Sequence, residues 1–115
     1  MNKGPIISII NVHEKTVVPV FIYNIMENKT QIIKELSKIP GVGTSIANDL
    51  YLISIRKIED LRNKNPEDLF NQSNQLVGCV QDRCLLYVFR CAVYYAETEP
   101  EERETEKLLW WNWKN

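Results

Sequence analysis

The spacing of apolar positions along this chain changes once, near residue 28. Before it, Ile and Val crowd into two runs, 6–10 and 17–23, parted by Asn11, His13, Glu14 and Lys15. Such runs predict two short strands, about 6–12 and 16–23, joined near Glu14-Lys15. A lone two-stranded hairpin is marginal in water. Pro19 restricts the second strand to an edge.

After Asn28 the period is helical. Asn28 with Gln31 three later has the form of a capping box, with Asn in place of Ser or Thr. Ile32, Ile33, Leu36 and Ile39 follow helical spacing until Pro40-Gly41 stops the helix. Ile46, Ala47 and Leu50 mark a second short helix, and Ile58 with Leu61 a third of about two turns. Asn65-Pro66-Glu67-Asp68 reads as an N-cap, a proline at the first helical position and acids at the positive dipole end. Leu69 and Phe70 are the apolar side of that fourth helix, which Gly78 breaks. Residues 82–97 form the longest helix, with Leu85, Leu86, Val88, Phe89, Ala92 and Val93 leaving little polar surface. A helix apolar nearly all round is a central one. Pro100 ends it at the latest.

The expected fold is therefore all-α: five helices around the last one, in a domain over residues 29–115. Residues 1–28 form a strand-like extension. Met26 at the junction also allows the reading of an over-long start.

Composition narrows the class. The chain has 115 residues, 44% apolar and 25% charged, the balance of one soluble globular domain. A net charge of −1 excludes a protein held to nucleic acid by bulk charge alone. That net hides segregation: residues 29–64 carry seven basic and four acidic side chains, whereas residues 97–106 carry six Glu and one Arg. Three Cys without a Cys-x-x-Cys pair speak against a disulfide scaffold and a zinc site. One His, His13, leaves little for His-dependent catalysis. No apolar run approaches the ~20 residues of a membrane span. The expectation is a cytoplasmic protein with reduced thiols, no metal and no cofactor.

The most informative segment is Pro40-Gly41-Val42-Gly43-Thr44-Ser45, between the first two helices. The glycines permit φ > 0 and a bare backbone, Val42 can anchor the turn, and small Ala47 lets the helices approach. The amides of Gly41, Val42, Gly43, Thr44 and Ser45 then lie at a helix start, an anion site made of unpaired N–H groups and the positive dipole end. With no cofactor motif, the natural anion is a nucleic-acid phosphate, supported by Lys38 and Lys34 nearby. The alternative is that the segment merely turns a helical hairpin or serves protein contact.

Leu36, Ile39, Pro40, Gly41, Val42, Gly43 and Ala47 match the apolar-x-x-apolar-Pro-Gly-apolar-Gly pattern of the helix-hairpin-helix motif, which this segment resembles. The resemblance implies sequence-independent binding of DNA through backbone phosphate contacts. Many DNA-binding members place Lys or Arg after the second glycine, where this chain has Thr44 and Ser45. Residues 52–69 resemble the connector of tandem helix-hairpin-helix (SAM-like) domains, with Ser54 where a left-handed Gly is usual. The second hairpin would fall near Leu76-Val77-Gly78-Cys79, without Pro-Gly-x-Gly. The 82–96 segment and the tail Leu108-Leu109-Trp110-Trp111-Asn112-Trp113-Lys114 resemble the small bacterial pathogenicity-locus family of helix-hairpin-helix proteins. That likeness runs from about Ile32 to Lys114. It implies the fold and a nucleic-acid role.

Other clusters read more simply. Cys84 and Cys91, seven apart on one helix, are expected as buried small hydrophobes. Tyr87, Tyr94 and Tyr95 are expected at core edges, with hydroxyls at the rim. Arg83 and Arg90 either pair with Asp82 or the Glu run, or clamp phosphate. Trp110, Trp111 and Trp113 either fold back on the bundle or offer a protein partner or a base a stacking surface. Asp49 and Asp60 are isolated, so no enzyme emerges. Two functions remain: a non-enzymatic DNA-binding module using Gly41 to Ser45 and Lys38, or a protein-interaction module using the Trp tail.

Overall fold

The computed structural model describes residues 8–11 and 16–114, with side chains from Asn28 onward. Contacts divide the chain into two units, Met1–Gln31 and Ile32–Asn115. In the first, β1 (Ser8–Asn11) pairs antiparallel with β2 (Thr16–Pro19), Ser8 opposite Pro19 and Asn11 opposite Thr16. The expected strand positions 6, 7 and 12, the 14–15 turn and His13 lie outside the described residues. Positions 20–23, expected as strand, instead open a helix, α1 (Val20–Leu36). Pro19 has no amide for a ladder, so pairing ends there. Beyond it, positions 22, 25, 29, 32, 33 and 36 recur at helical spacing, with Lys29 as the polar member. Asn28 thus lies inside α1 and is not its N-cap.

All regular structure from Val20 onward is helical: α1, α2 (Thr44–Leu52), a 3-10 turn (Ile58–Leu61), α3 (Pro66–Val77) and α4 (Arg83–Glu97). The third expected helix is a single four-residue turn. The Asp60 carboxylate accepts from the Arg56 and Lys57 amides at its start (2.9 and 3.2 Å). Arg62 then leaves in extended conformation and Asn63 turns left-handed (φ +64), so a second turn has no room.

The local signals operate as expected elsewhere. Asn65 accepts from the Glu67 and Asp68 amides, and Pro66 follows it. Gly78 closes α3 at φ +81 and donates to the Asn74 carbonyl at 2.8 Å. Asp82 caps α4 through the Cys84 amide. Ser54, just after α2, sits at φ +77. A side chain there costs about 1 kcal/mol relative to glycine.

α4 is the centre of the second unit. Leu86, Phe89, Cys91 and Ala92 are buried and meet α3, the 3-10 turn and the tail. Burial pushes the Cys91 thiol up to about 11. Cys84, in contrast to expectation, is exposed, although Leu86 in the same first turn of α4 is buried. The neighbouring Asp82 carboxylate raises the Cys84 pKa. Arg90 has a partner outside both expected sets. It reaches across to Glu67 of α3 at 2.7 Å and donates to the Trp113 carbonyl at 2.8 Å. Its hydrogen bond holds the Glu67 carboxyl below the usual range.

The acidic stretch is fastened by its own cation. Arg103 donates to the Tyr95 and Thr98 carbonyls and lies over the Tyr95 ring at 3.7 Å. The Tyr94 hydroxyl accepts from the Glu104 amide. The tail then folds back through two further turns, Thr105–Leu108 and Trp110–Trp113. Trp110 packs on the core cluster. The Trp113 ring lies 5.5 Å from that of Tyr94, and its indole N–H donates to the Lys107 carbonyl. Trp111 stays 49% exposed, edge-on to Trp110.

Candidate functional site

The hairpin between α1 and α2 is built by a tightening of the chain. After Leu36, Ser37 Oγ donates to the Ile33 carbonyl at 2.7 Å, and the Lys38 and Ile39 amides bond three residues back. The Val42 amide then bonds the Ile39 carbonyl at 3.0 Å. With Pro40 second, Gly41 third and φ +85 at Gly41, this has the form of a type II turn. Ile39 and Val42, on either side of it, are both buried. The turn is therefore pinned from both ends.

Gly43 is the N-cap of α2, at φ −90 and ψ −173. It has no side chain to offer, and no acidic residue stands in the first turn. The first intrahelical bond is Ala47 N–H to the Gly43 carbonyl (2.9 Å). The Thr44, Ser45 and Ile46 amides precede it and find no acceptor among the described residues. They carry the partial positive charge of the helix start. Ala47 is fully buried, as close helix approach requires.

The two glycines differ in kind. A Cβ on Gly41 would come within 3.0 Å of Trp110 Cδ1, so the indole lies on the bare backbone of the turn. A Cβ on Gly43 would meet nothing within 4 Å. The expectation that Gly43 needs φ > 0 is corrected: Gly41 carries the left-handed conformation, and Gly43 is extended.

The expected site residues thus lie together along one stretch: Lys38 before the turn, Gly41 and Val42 in it, Gly43 at the N-cap, and Thr44 and Ser45 in the first turn of α2. Gly41, Gly43, Thr44 and Ser45 are exposed, while Val42 is the buried anchor. Lys38 is exposed, and its ammonium pairs with Glu35 at 3.0 Å. Arg56 serves its own loop: it donates to the Tyr51 carbonyl and lies over the Tyr51 ring at 3.8 Å. Sequence reasoning missed the seat of Trp110 on Gly41. A contact between residues so far apart in the chain leaves no local pattern, and only the density of Trp in the tail hinted at it.

The second turn does not repeat the first. Leu76, Val77 and Val80 around Gly78 are exposed, at 61%, 58% and 82%. Among the described residues, no group of three or more His, Cys, Asp or Glu could hold a metal ion, and no helix is long and apolar enough to cross a membrane. A protein-family model described as "Pathogenicity locus" matches residues 29–115. Neither the curated proteins nor the solved structures contain a match to the chain.

Proposed function

The chain belongs to the Pathogenicity locus family, and on that premise we propose that residues 29–115 are a non-enzymatic helix-hairpin-helix module that binds DNA without sequence specificity. The observation that carries this reading is Gly43. Neither backbone conformation nor packing asks for glycine there, since φ is −90 and the space before it is open. Behind it stand three amides without acceptors. A phosphate oxygen approaching Gly43 would meet those donors at the positive end of α2. The Thr44 and Ser45 hydroxyls would add neutral donors, and Lys38 a charge shared with Glu35. Amides meet any phosphate alike, and this geometry offers the major groove no helix. The binding is therefore blind to sequence.

The test is anisotropy of a labelled duplex at several salt concentrations. Two or three phosphate contacts give a log–log salt slope of about −2 to −3. Unrelated duplexes should bind alike. Lys38→Glu should weaken binding several-fold by placing a second carboxylate beside Glu35. Gly43→Val should abolish it, and extended φ and ψ accommodate Val without straining the turn. No binding at 50 mM salt and micromolar protein, or equal binding by Lys38→Glu, would reassign the module to protein contact.

A further inference from the structure

Away from the hairpin, the last turns of α2 and α3 meet in a shallow groove. Leu52, Leu76 and Val77 line it and are 54%, 61% and 58% exposed. Together they leave roughly 300 Å² of apolar surface in water, the size of a functional patch on a monomer. The groove's own residues include one carboxylate, Asp49, and no Lys or Arg. The cleft that adjoins it past Ile53, Ser54 and Gln72 carries one charge of each sign, Asp60 and Lys64. Asp49 has no partner among the described residues, and burial raises its pKa. Ser73, also lining the groove, is already satisfied, its hydroxyl accepting from Gln81 Nε2 at 3.0 Å. Arg56 occupies the Tyr51 carbonyl at the end of α2, but no basic residue stands in the last turn of α3. The Gly78 and Cys79 amides already cap the Asn74 carbonyl there, so a cation would meet only the carbonyls after it, beside the carboxylate.

Area and charge together choose the occupant. A second copy seated face to face would bury far less than the ~800 Å² per partner of a stable interface. It would also bring two Asp49 carboxylates into one apolar seam. A short segment needs only two or three anchoring side chains. We propose that this groove binds a short amphipathic, basic segment of a partner protein. Apolar side chains seat between Leu52, Leu76 and Val77, and a Lys or Arg reaches Asp49 and the carbonyl end of α3. The inference is independent of the phosphate reading, since it uses another face and the opposite charge.

The test titrates the ¹⁵N-labelled full chain with a synthetic 14-residue peptide of Leu and Lys at helical spacing. A matched Leu and Glu peptide is the control. Saturable amide shifts are expected at 49–54 and 72–78, with the Glu peptide at least about tenfold weaker. Asp49→Asn, which keeps shape, should weaken the Lys peptide about threefold or more. Leu76→Asp, at an exposed position, should abolish the shifts while circular dichroism stays unchanged. No shift at 1 mM peptide, shifts elsewhere, equal binding of the Glu peptide, or insensitivity to Leu76→Asp overturns the proposal. A dimer in sedimentation that Leu76→Asp dissolves also overturns it, in favour of a second copy.

Discussion

The turns at 39–43 and 76–80 each hold a glycine with positive φ, Gly41 at +85 and Gly78 at +81, yet they differ in every other respect. The first buries its apolar residue, Val42, and is covered by Trp110. The second points Leu76, Val77 and Val80 into solvent, and nothing stands within 4 Å of a Cβ on Gly78. A left-handed glycine states only how the backbone turns. What the turn then does depends on where its apolar neighbours go. Burying Val42 leaves backbone amides as the surface of the first turn. Exposing Leu76 and Val77 makes side chains the surface of the second.

Removing the cover from the first turn is the largest available change. A chain truncated after Thr105 loses Trp110 from Gly41, Trp113 from Tyr94, and the Lys107 carbonyl that Cys91 Sγ approaches at 3.5 Å. Burial of large aromatics is worth about 2–3 kcal/mol each. Melting should fall by more than about 10 °C. An unchanged melting temperature would show that the tail does not hold the turn.

A smaller change separates the two glycines directly. Alanine at either position pays for the left-handed backbone, about 1–2 kcal/mol. At Gly41 the new methyl also meets Trp110 Cδ1 at 3.0 Å, at the ring rather than at a flexible chain end. Gly41→Ala should therefore cost about 2–3 kcal/mol, and Gly78→Ala about 1 kcal/mol. Equal losses in denaturant midpoints would mean that Trp110 gives way freely and that the turns are held alike.

The part of this contrast that was legible in sequence is the part encoded locally. Asn65-Pro66, Asp82 and Gly78 act within four residues of themselves, and each does what its side chain or its lack of one dictates. Ser54 is left-handed, as the resemblance of residues 52–69 to a connector segment implied. The start of α1 was not legible. Residues 20–23 are β-branched or aromatic, and strand propensity yields here to a helical stripe that continues to Leu36. Cys84 and Cys91 share a spacing but not a depth: at the start of α4 the core covers Leu86 but not the face that carries Cys84. In the site itself, the Val42 anchor and the Thr44 and Ser45 donors were readable from the sequence; the Val42 amide, expected as a donor, is spent on the Ile39 carbonyl, and Ile46 supplies a donor that was not expected. The packing difference between its glycines was not readable, since Trp110, from the far end of the chain, makes it.

The smallest expected effect tests that difference at Gly43. Alanine at an N-cap is worse than glycine by a few tenths of a kcal/mol up to about 1. Replacing glycine stiffens the unfolded chain and returns about 0.4–1 kcal/mol where the native conformation suits alanine. At φ −90 and ψ −173 it does, and the methyl would enter open space. The two terms offset, so Gly43→Ala should leave stability within about 0.5 kcal/mol of the parent. If phosphate approaches over Gly43, the same methyl stands in its path, and duplex affinity should fall although the fold is untouched. A loss of stability comparable to that of Gly41→Ala would mean that the fold itself requires this glycine. It would also remove the reason for reading its bareness as room for a ligand.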